Sequence, residues 1–252
     1  MYAPERHRAI VERVSTGRAS VVDLAEDLAV TPETIRRDLS ILERQGLVRR
    51  VHGGAIPVRR LGFQPTVDSR SAVRVDEKRR IAEAAIDEIP HEGSLIVDSG
   101  TTTSRLISLL PEDRQLTIVT NSVQHAMVLA NHSNITLMLL GGRVRGRTLA
   151  CVDSWAVNSL AGICADVAIV GTDGISVERG LTTPDRQEAE IKAAMLAAAR
   201  RKVVLADHTK FGDDHFASFG RIDDVDVIIT DTGLDSEVAD EIEAAGPMVV
   251  LA

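Results

Sequence analysis

The 252 residues, 44% of them apolar and 26% charged, can fill one large core or two unequal ones and exclude a disordered or collagen-like chain. No apolar run reaches membrane-spanning length and the first fifteen residues are too charged for a signal peptide, so a cytoplasmic protein without a membrane partner is expected. The net charge of −8 hides a basic end, since residues 1–60 carry 11 Arg and Lys against 8 Asp and Glu while the remainder carries 18 against 29.

Three helical patterns fill that basic end. The first covers about Pro4 to Val14, with Ile10, Val11 and Val14 on one side, and ends near Gly17. The second runs from about Val21 to Leu28, where Ser20 and Asp23 have the spacing of a capping box. The third follows Thr31, a good N-cap, has Pro32 at its first position and stops before Gly46. At about 100° per residue, Ile35, Leu39 and Leu42 share its core arc, while Glu33, Arg36, Arg37, Ser40 and Arg44 lie opposite. Such arginines, on a capped helix joined to another by a tight turn at Val30, suit a recognition helix in a DNA major groove. An ordinary solvated face carries similar charge.

Leu47 to Val51 reads as a strand holding Arg49 and Arg50, and Gly53-Gly54 as a turn into Ala55 and Ile56. Three helices and a basic hairpin make a winged helix-turn-helix. Its wing would set Arg49, Arg50 and His52 against phosphates, although His52 and the two glycines also read as turn chemistry alone. With 2% aromatic residues there is little to stack on unpaired bases, so double-stranded DNA is the expected partner.

The run TPETIRRDLSILERQGLVRRVHGGA, Thr31 to Ala55, resembles the amino-terminal module of the DeoR/GlpR family of bacterial transcription regulators. Thr-Ile-Arg-Arg-Asp-Leu at Thr34 to Leu39 and Arg-x-x-Gly-Gly-Ala at Arg50 to Ala55 carry the resemblance. The candidate DNA contacts are Thr31, Thr34, Arg36, Arg37, Ser40 and Arg44 on the helix, and Arg49, Arg50 and His52 on the wing.

Pro57 to about Val75 shows no clear periodicity and is punctuated by Pro57, Gly62 and Pro65. It reads as a linker (58–75) between a DNA-binding domain (1–57) and a larger domain (76–252). A helix from Asp76 to Ile89 opens an alternation there. Strand-like runs occur at Ser94–Val97, Leu116–Val119, Ile135–Leu140, Val167–Val170, Val203–Leu205, Val225–Ile229 and Met248–Leu251. Helical patterns fall at Thr102–Leu110, Val123–Asn131, Ser154–Ala161, Pro184–Arg200 and Ser236–Ala244. The alternation predicts an α/β fold with a mainly parallel sheet covered on both faces and ligands at the carboxyl ends of its strands.

Those ends are polar. Asp98, Ser99, Gly100, Thr101, Thr102 and Thr103 bring hydroxyls and amides to a helix start, which suits a phosphate and is also what a Ser/Thr-rich helix cap looks like. The loop is neither a Walker A nor a dinucleotide-binding glycine loop. Further ends supply Thr120-Asn121-Ser122, Gly141-Gly142-Arg143, Gly171-Thr172-Asp173-Gly174 and Asp207-His208-Thr209-Lys210. Arg143 and Lys210 are candidate anion partners.

From about Lys78 onward the chain resembles the DeoR-family sensor domain, whose fold is related to ribose-5-phosphate isomerase. The matching pieces are DSGTTT at Asp98, TNS at Thr120, GG at Gly141, GTDG at Gly171, GLTTP at Gly180, the helix with Glu188 and Lys192, and ADHTKF at Ala206. The resemblance implies an effector that is a phosphorylated sugar or polyol, with Ser99 to Thr103 nearest the phosphate and Asp173, Glu188, Asp207 and Lys210 around the sugar. Asn121, Ser122, Gly142 and Arg143 complete the candidate set.

The related isomerases place a Lys-Gly-Gly loop where this sequence has Gly180-Leu181-Thr182-Thr183-Pro184, so an enediolate would lack a cation there. Binding without turnover is expected, the alternative being an isomerase-like enzyme that carries a DNA-binding domain. His125, His132, His208 and His215 lack ligand spacing, and Cys151 and Cys164 are the only cysteines, so neither a metal nor another cofactor is expected. Trp155, Phe211, Phe216 and Phe219 read as packing or a lid. With the family resemblance, the whole is expected to be a repressor of carbohydrate genes, a homodimer or homotetramer joined through its sensor domains.

Overall fold

The computed structural model describes residues 2–15, 19–51, 53–57 and 64–252, with the backbone alone at 56 and 57. Its internal contacts divide into two compact units, Met1–Val73 and Arg74–Ala252.

The first unit begins with α1 (Ala3–Ser15), β1 (Ala19–Ser20), α2 (Val21–Asp27), α3 (Pro32–Arg44), β2 (Val48–Val51) and β3 (Gly54–Pro57). Ser20 caps α2 by accepting the Asp23 amide at 3.0 Å, and Thr31 caps α3 by accepting that of Thr34 at 3.3 Å. Ile10, Val14, Leu24, Ile35, Leu39 and Leu42 close over Val48 and Ala55 in one core. The strands form an antiparallel sheet in the order β1-β3-β2, the wing. Two glycines serve it differently: Gly53 turns with φ +76°, and a Cβ at Gly54 would lie 2.1 Å from the Ala19 carbonyl oxygen. The strand β1 is too short to register as an alternating pattern.

Asp38 is the unexpected core residue of this unit. It accepts Arg6 Nε at 2.5 Å and lies 2.9 Å from His7 Nε2, which pins α1 to α3. Burial opposes its ionisation, but the hydrogen bonds and charge of Arg6 and His7 hold the carboxyl below the usual range. Further on, Thr66 caps a five-residue helix, α4 (Val67–Ser71), within the stretch read as a linker. One helical turn is too short to show periodicity in sequence.

The second unit contains α5 (Val75–Ala84), β4 (Glu92–Val97), α6 (Thr101–Ile107), β5 (Gln115–Thr120), α7 (Val123–Leu129) and β6 (Ile135–Leu139). Next come β7 (Arg143–Arg145), β8 (Ala150–Val152), α8 (Ser154–Ser159), β9 (Ala165–Gly171), β10 (Gly174–Ser176), β11 (Gly180–Thr183) and α9 (Arg186–Ala197). It finishes with β12 (Ala199–Leu205), β13 (Ala217–Gly220), β14 (Val227–Thr230), α10 (Ser236–Ala244) and β15 (Met248–Leu251). Seven strands form a wholly parallel sheet in the order β15-β14-β12-β9-β4-β5-β6.

One face of this sheet packs Ile81, Leu95, Leu106, Ile118, Leu129 and Val203. The other packs Ile96, Val119, Ala156, Val170, Ile191 and Met195. The hairpin β7-β8 and the antiparallel sheet β10-β11-β13 are additions that the sequence reading treated as loops. The helix expected over Pro184–Arg200 ends at Ala197, because Ala199 already pairs with Ala165 in the central sheet. The helix expected over Asp76–Ile89 tightens after Ala84 into a 3₁₀ turn, Ala85–Glu88. Among the described residues no helix is long and apolar enough to cross a membrane.

Candidate functional site

The first candidate surface is the outer face of α3 with β2. Arg36 reaches back to Glu33 at 3.0 Å, and Arg44 Nε donates to the Ser40 carbonyl at 3.3 Å. Arg50 donates through Nη1 to Ser40 Oγ at 2.8 Å and through its backbone amide to Glu43 Oε1 at 3.0 Å, so the wing is fastened to α3. Thr31 and Thr34 keep their hydroxyls 2.9 Å apart at the helix start. Arg37 and Arg49 are exposed and have no side-chain partner among the described residues. His52 lies outside the described residues.

The second lies at the carboxyl edge of the parallel sheet. The chain leaves β4 toward β5 and β6, returns to β9 and continues the other way to β12, so the winding reverses between β4 and β9, the place where parallel sheets of this kind bind ligands. Asp98 follows β4 and is fully buried. Its Oδ1 accepts the Gly171 amide at 3.0 Å and its Oδ2 takes the ammonium of Lys192, which also donates to the Gly171 carbonyl at 2.9 Å. Burial pushes the Asp98 carboxyl upward against the pull of Lys192 and Gly171.

The loop after Asp98 is held from behind. Ser99 donates its amide to Asn121 Oδ1 at 2.9 Å, and Asn121 Nδ2 donates to the Cys151 carbonyl at 3.2 Å. Thr103 Oγ1 donates to the carbonyls of Asp98 and Gly100 at 2.9 and 3.1 Å. Ser122 caps α7, accepting the His125 amide at 3.2 Å. Thr101 and Thr102 are buried, and Gly100 caps α6 without any side-chain bond, so the first amides of that helix have no intrahelical acceptor.

Charged groups stand at and near the other strand ends. Glu188 on α9 accepts Thr148 Oγ1 at 2.6 Å and Arg145 Nη1 at 3.2 Å, while Arg145 Nε reaches Asp185 at 3.1 Å. Asp173 accepts Thr183 Oγ1 at 2.8 Å. Burial resists ionisation of Asp207, yet the ammoniums of Lys210 and Lys78, the Thr209 hydroxyl and Arg74 hold its carboxyl below the usual range. Arg143 is exposed, with its side chain on Gln187 and its amide on Asp153 Oδ2 at 3.0 Å, next to exposed Gly142.

Sequence reasoning did not name Arg145 or Lys78, and it weighed Lys192 only as a cation that could reach the site, leaving it out of the candidate set. Arg145 had a signal, since it stands two residues after Arg143 and shares that residue's side of a strand. Lys78 had none, because its burial beside Asp207 depends on a contact 129 positions away. A separate cavity of about 380 Å³ lies among β10, the His208–Lys210 turn and α10, and of the polar strand-end residues only His208 lines it.

Residues 6–60 match the family model of the DeoR-like helix-turn-helix domain, and residues 73–232 that of the DeoR C terminal sensor domain. The chain is 39% identical, over 99% of its length and 98% of the relative's, to the HTH-type transcriptional regulator GlpR of Haloferax volcanii. It is 33% identical, over 92% of each chain, to the Glycerol-3-phosphate regulon repressor of Escherichia coli K12. Ribose 5 phosphate isomerase A from Neisseria gonorrhoeae is 19% identical over 53% of this chain and 52% of its own, with a TM-score of 0.38. The chain belongs to the DeoR family of DNA-binding transcription regulators, its helix-turn-helix head and sensor domain joined in one polypeptide.

Proposed function

We propose that this regulator is a repressor of carbohydrate or polyol catabolism genes whose grip on its operator changes when the sensor domain binds a phosphorylated sugar or polyol. The observation that carries the ligand class is the reversal of winding between β4 and β9, where the start of α6 has uncommitted amides and the neighbouring elements bring Lys192 to Asp98, Arg145 to Glu188, and Lys78 and Lys210 to Asp207. Backbone amides at a helix start favour a dianionic phosphate, and carboxylates held by their own cations remain as acceptors for sugar hydroxyls. Within this reading Ser99 to Thr102 meet the phosphate. Asp98, Thr103, Asn121 and Ser122 shape the loop, and Asp173, Glu188, Asp207 and Lys210 face the polyol.

The same geometry supports binding over isomerisation. A general base needs a carboxylate free to take a proton, and Glu188 is occupied by Arg145 and Thr148. Lys192, the cation between the ends of β4 and β9, is engaged by Asp98 and the Gly171 carbonyl.

On the DNA, Arg37 and Arg36 read the major groove and Arg49 grips the backbone, with residues 58–75 joining the head to the sensor. A palindromic operator calls for a homodimer or homotetramer. Calorimetry with matched pairs of phosphorylated and unphosphorylated sugars and polyols tests the ligand class. Binding restricted to a phosphorylated member is expected, and tight binding of the unphosphorylated form would refute the phosphate loop.

A further inference from the structure

The parallel sheet has two edges, and they are treated differently. At the β15 edge the outward-facing Val249 amide is taken by Glu243 Oε1 at 3.0 Å, so a charged side chain guards that backbone. At the β6 edge the pairing with β5 uses the alternate residues, as in Thr117 with Thr136 and Val119 with Met138, and Leu140 donates to the Thr120 carbonyl at 2.8 Å. The pleat therefore turns the amides and carbonyls of Leu137 and Leu139 outward, and no described residue bonds them.

The side chains beside this open edge are apolar on both faces. Leu139 (46% exposed) stands with Met127 (71%) and Val128 (45%) of α7 on one face. Met138 (47%) lies on the other face, the one that packs Ala156 of α8; the preceding Trp155 is 77% exposed, and the start of α8 comes against Gly142, where a Cβ would lie 3.3 Å from the Ala156 nitrogen. The sequences of α7, β6 and α8, VQHAMVL, ITLML and SWAVNS, contain no Asp, Glu, Lys, Arg or Pro. An uncharged, flat edge of this kind lacks the devices that keep strands apart.

We propose that β6 is the interface between two copies of this chain, paired antiparallel across a two-fold axis so that the two sheets become one. Leu137 of each copy faces Leu139 of the other, which satisfies the free amides and carbonyls, and the two Met138 residues meet on the axis as a non-hydrogen-bonded pair. A second copy is the fitting occupant because a two-fold contact sets a patch against itself, which a neutral strip tolerates and a charged one does not. The five apolar side chains expose roughly 500–600 Å², most of the about 800 Å² per partner that a standard stable interface needs once the backbone edge is added. This assignment rests on the oligomeric regulator proposed above and names its surface.

Sedimentation equilibrium on the full-length protein tests it with Met138→Lys, Met248→Lys and a Cys164→Ser, Met138→Cys variant. Cys164 is the exposed native cysteine and Cys151 is buried. Met138→Lys is expected to raise the dimer dissociation constant at least about 100-fold with the circular dichroism unchanged, while Met248→Lys stays within about twofold of wild type. Met138→Cys is expected to form a disulfide-linked dimer on mild oxidation, since such a pair has nearly disulfide geometry. If wild type associates, Met138→Lys associates equally well and Met138→Cys fails to cross-link, β6 is not the interface although the oligomer stands. If wild type is monomeric both in solution and on operator DNA, the oligomeric reading falls with it.

Discussion

Lys192 on α9 reaches the buried Asp98 carboxylate, and through the Gly171 carbonyl the same ammonium ties the ends of β4 and β9 together. The sugar-phosphate reading places this pair beneath the loop as a brace. Breaking a buried pair from one side leaves a charge unpaired, which costs about 3–5 kcal/mol. Asp98→Asn is therefore expected to lower sensor-domain stability by about that much in urea unfolding. The Asp98→Asn, Lys192→Met double variant is expected to lose at least about 1 kcal/mol less than the sum of the two single changes. Additive losses would show that the two residues act independently.

Arg37 and Arg50 separate reading DNA from holding the wing. Arg37→Ala removes a side chain with no partner in the described protein and is expected to weaken operator binding by about 1–3 kcal/mol, with ligand affinity and stability unchanged. Arg50→Ala also frees Ser40 Oγ and is expected to lower the melting temperature of the head as well as its DNA affinity. Anisotropy and thermal melts on both variants check the distinction, and equal melting behaviour would place Arg50 on the DNA instead.

Ser99→Tyr fills the space in front of the first α6 amides without touching the head. Operator affinity is expected to stay within about twofold of wild type while the effector loses at least about 1.4 kcal/mol, a factor of ten. Arg145→Ala is expected to weaken the effector similarly, because it takes the guanidinium away from Glu188 and Asp185. Release of operator by ligand at wild-type concentration in Ser99→Tyr would count against the loop.

His125 is buried behind the same loop, with Nε2 2.9 Å from Ser104 Oγ, and burial pushes its pKa down to about 4. The unfolded chain binds this proton near pH 6.5 and the folded chain does not, so stability falls as the pH drops from about 6.5 toward 4. The drop amounts to about 3 kcal/mol across that window. His125→Gln is expected to flatten this part of the stability profile, measured by urea midpoints between pH 4 and 7. An unchanged slope would assign the acid sensitivity to other groups.

Much of the architecture was legible because the central strands are continuous apolar runs between polar turns, as at Ser94–Val97 and Val203–Leu205, and the caps at Ser20 and Thr31 carry their own signatures. What escaped depends on distant partners. Ala199–Arg201 has helix-forming residues and becomes strand only because β9 lies beside it, and β1 exists only because β3 does. In the site, the strand-end loops were visible as polar punctuation. That Asp98 is consumed by Lys192, Glu188 by Arg145, and Arg50 by Ser40 are facts about pairs 94, 43 and 10 positions apart. Asp38 was missed for the same reason, since a charged residue on a core arc is explained only by Arg6 and His7.

Operator binding with and without effector tests the central claim most directly. Fluorescence anisotropy with DNA from the gene's own upstream region, at two salt concentrations and across a panel of sugar and polyol phosphates, measures head and sensor together. Tight binding that weakens steeply with salt and changes in response to one phosphorylated compound is the expected result. Affinity no greater than for random DNA, or an operator complex indifferent to every phosphorylated compound while an unphosphorylated sugar alters it, would contradict the account.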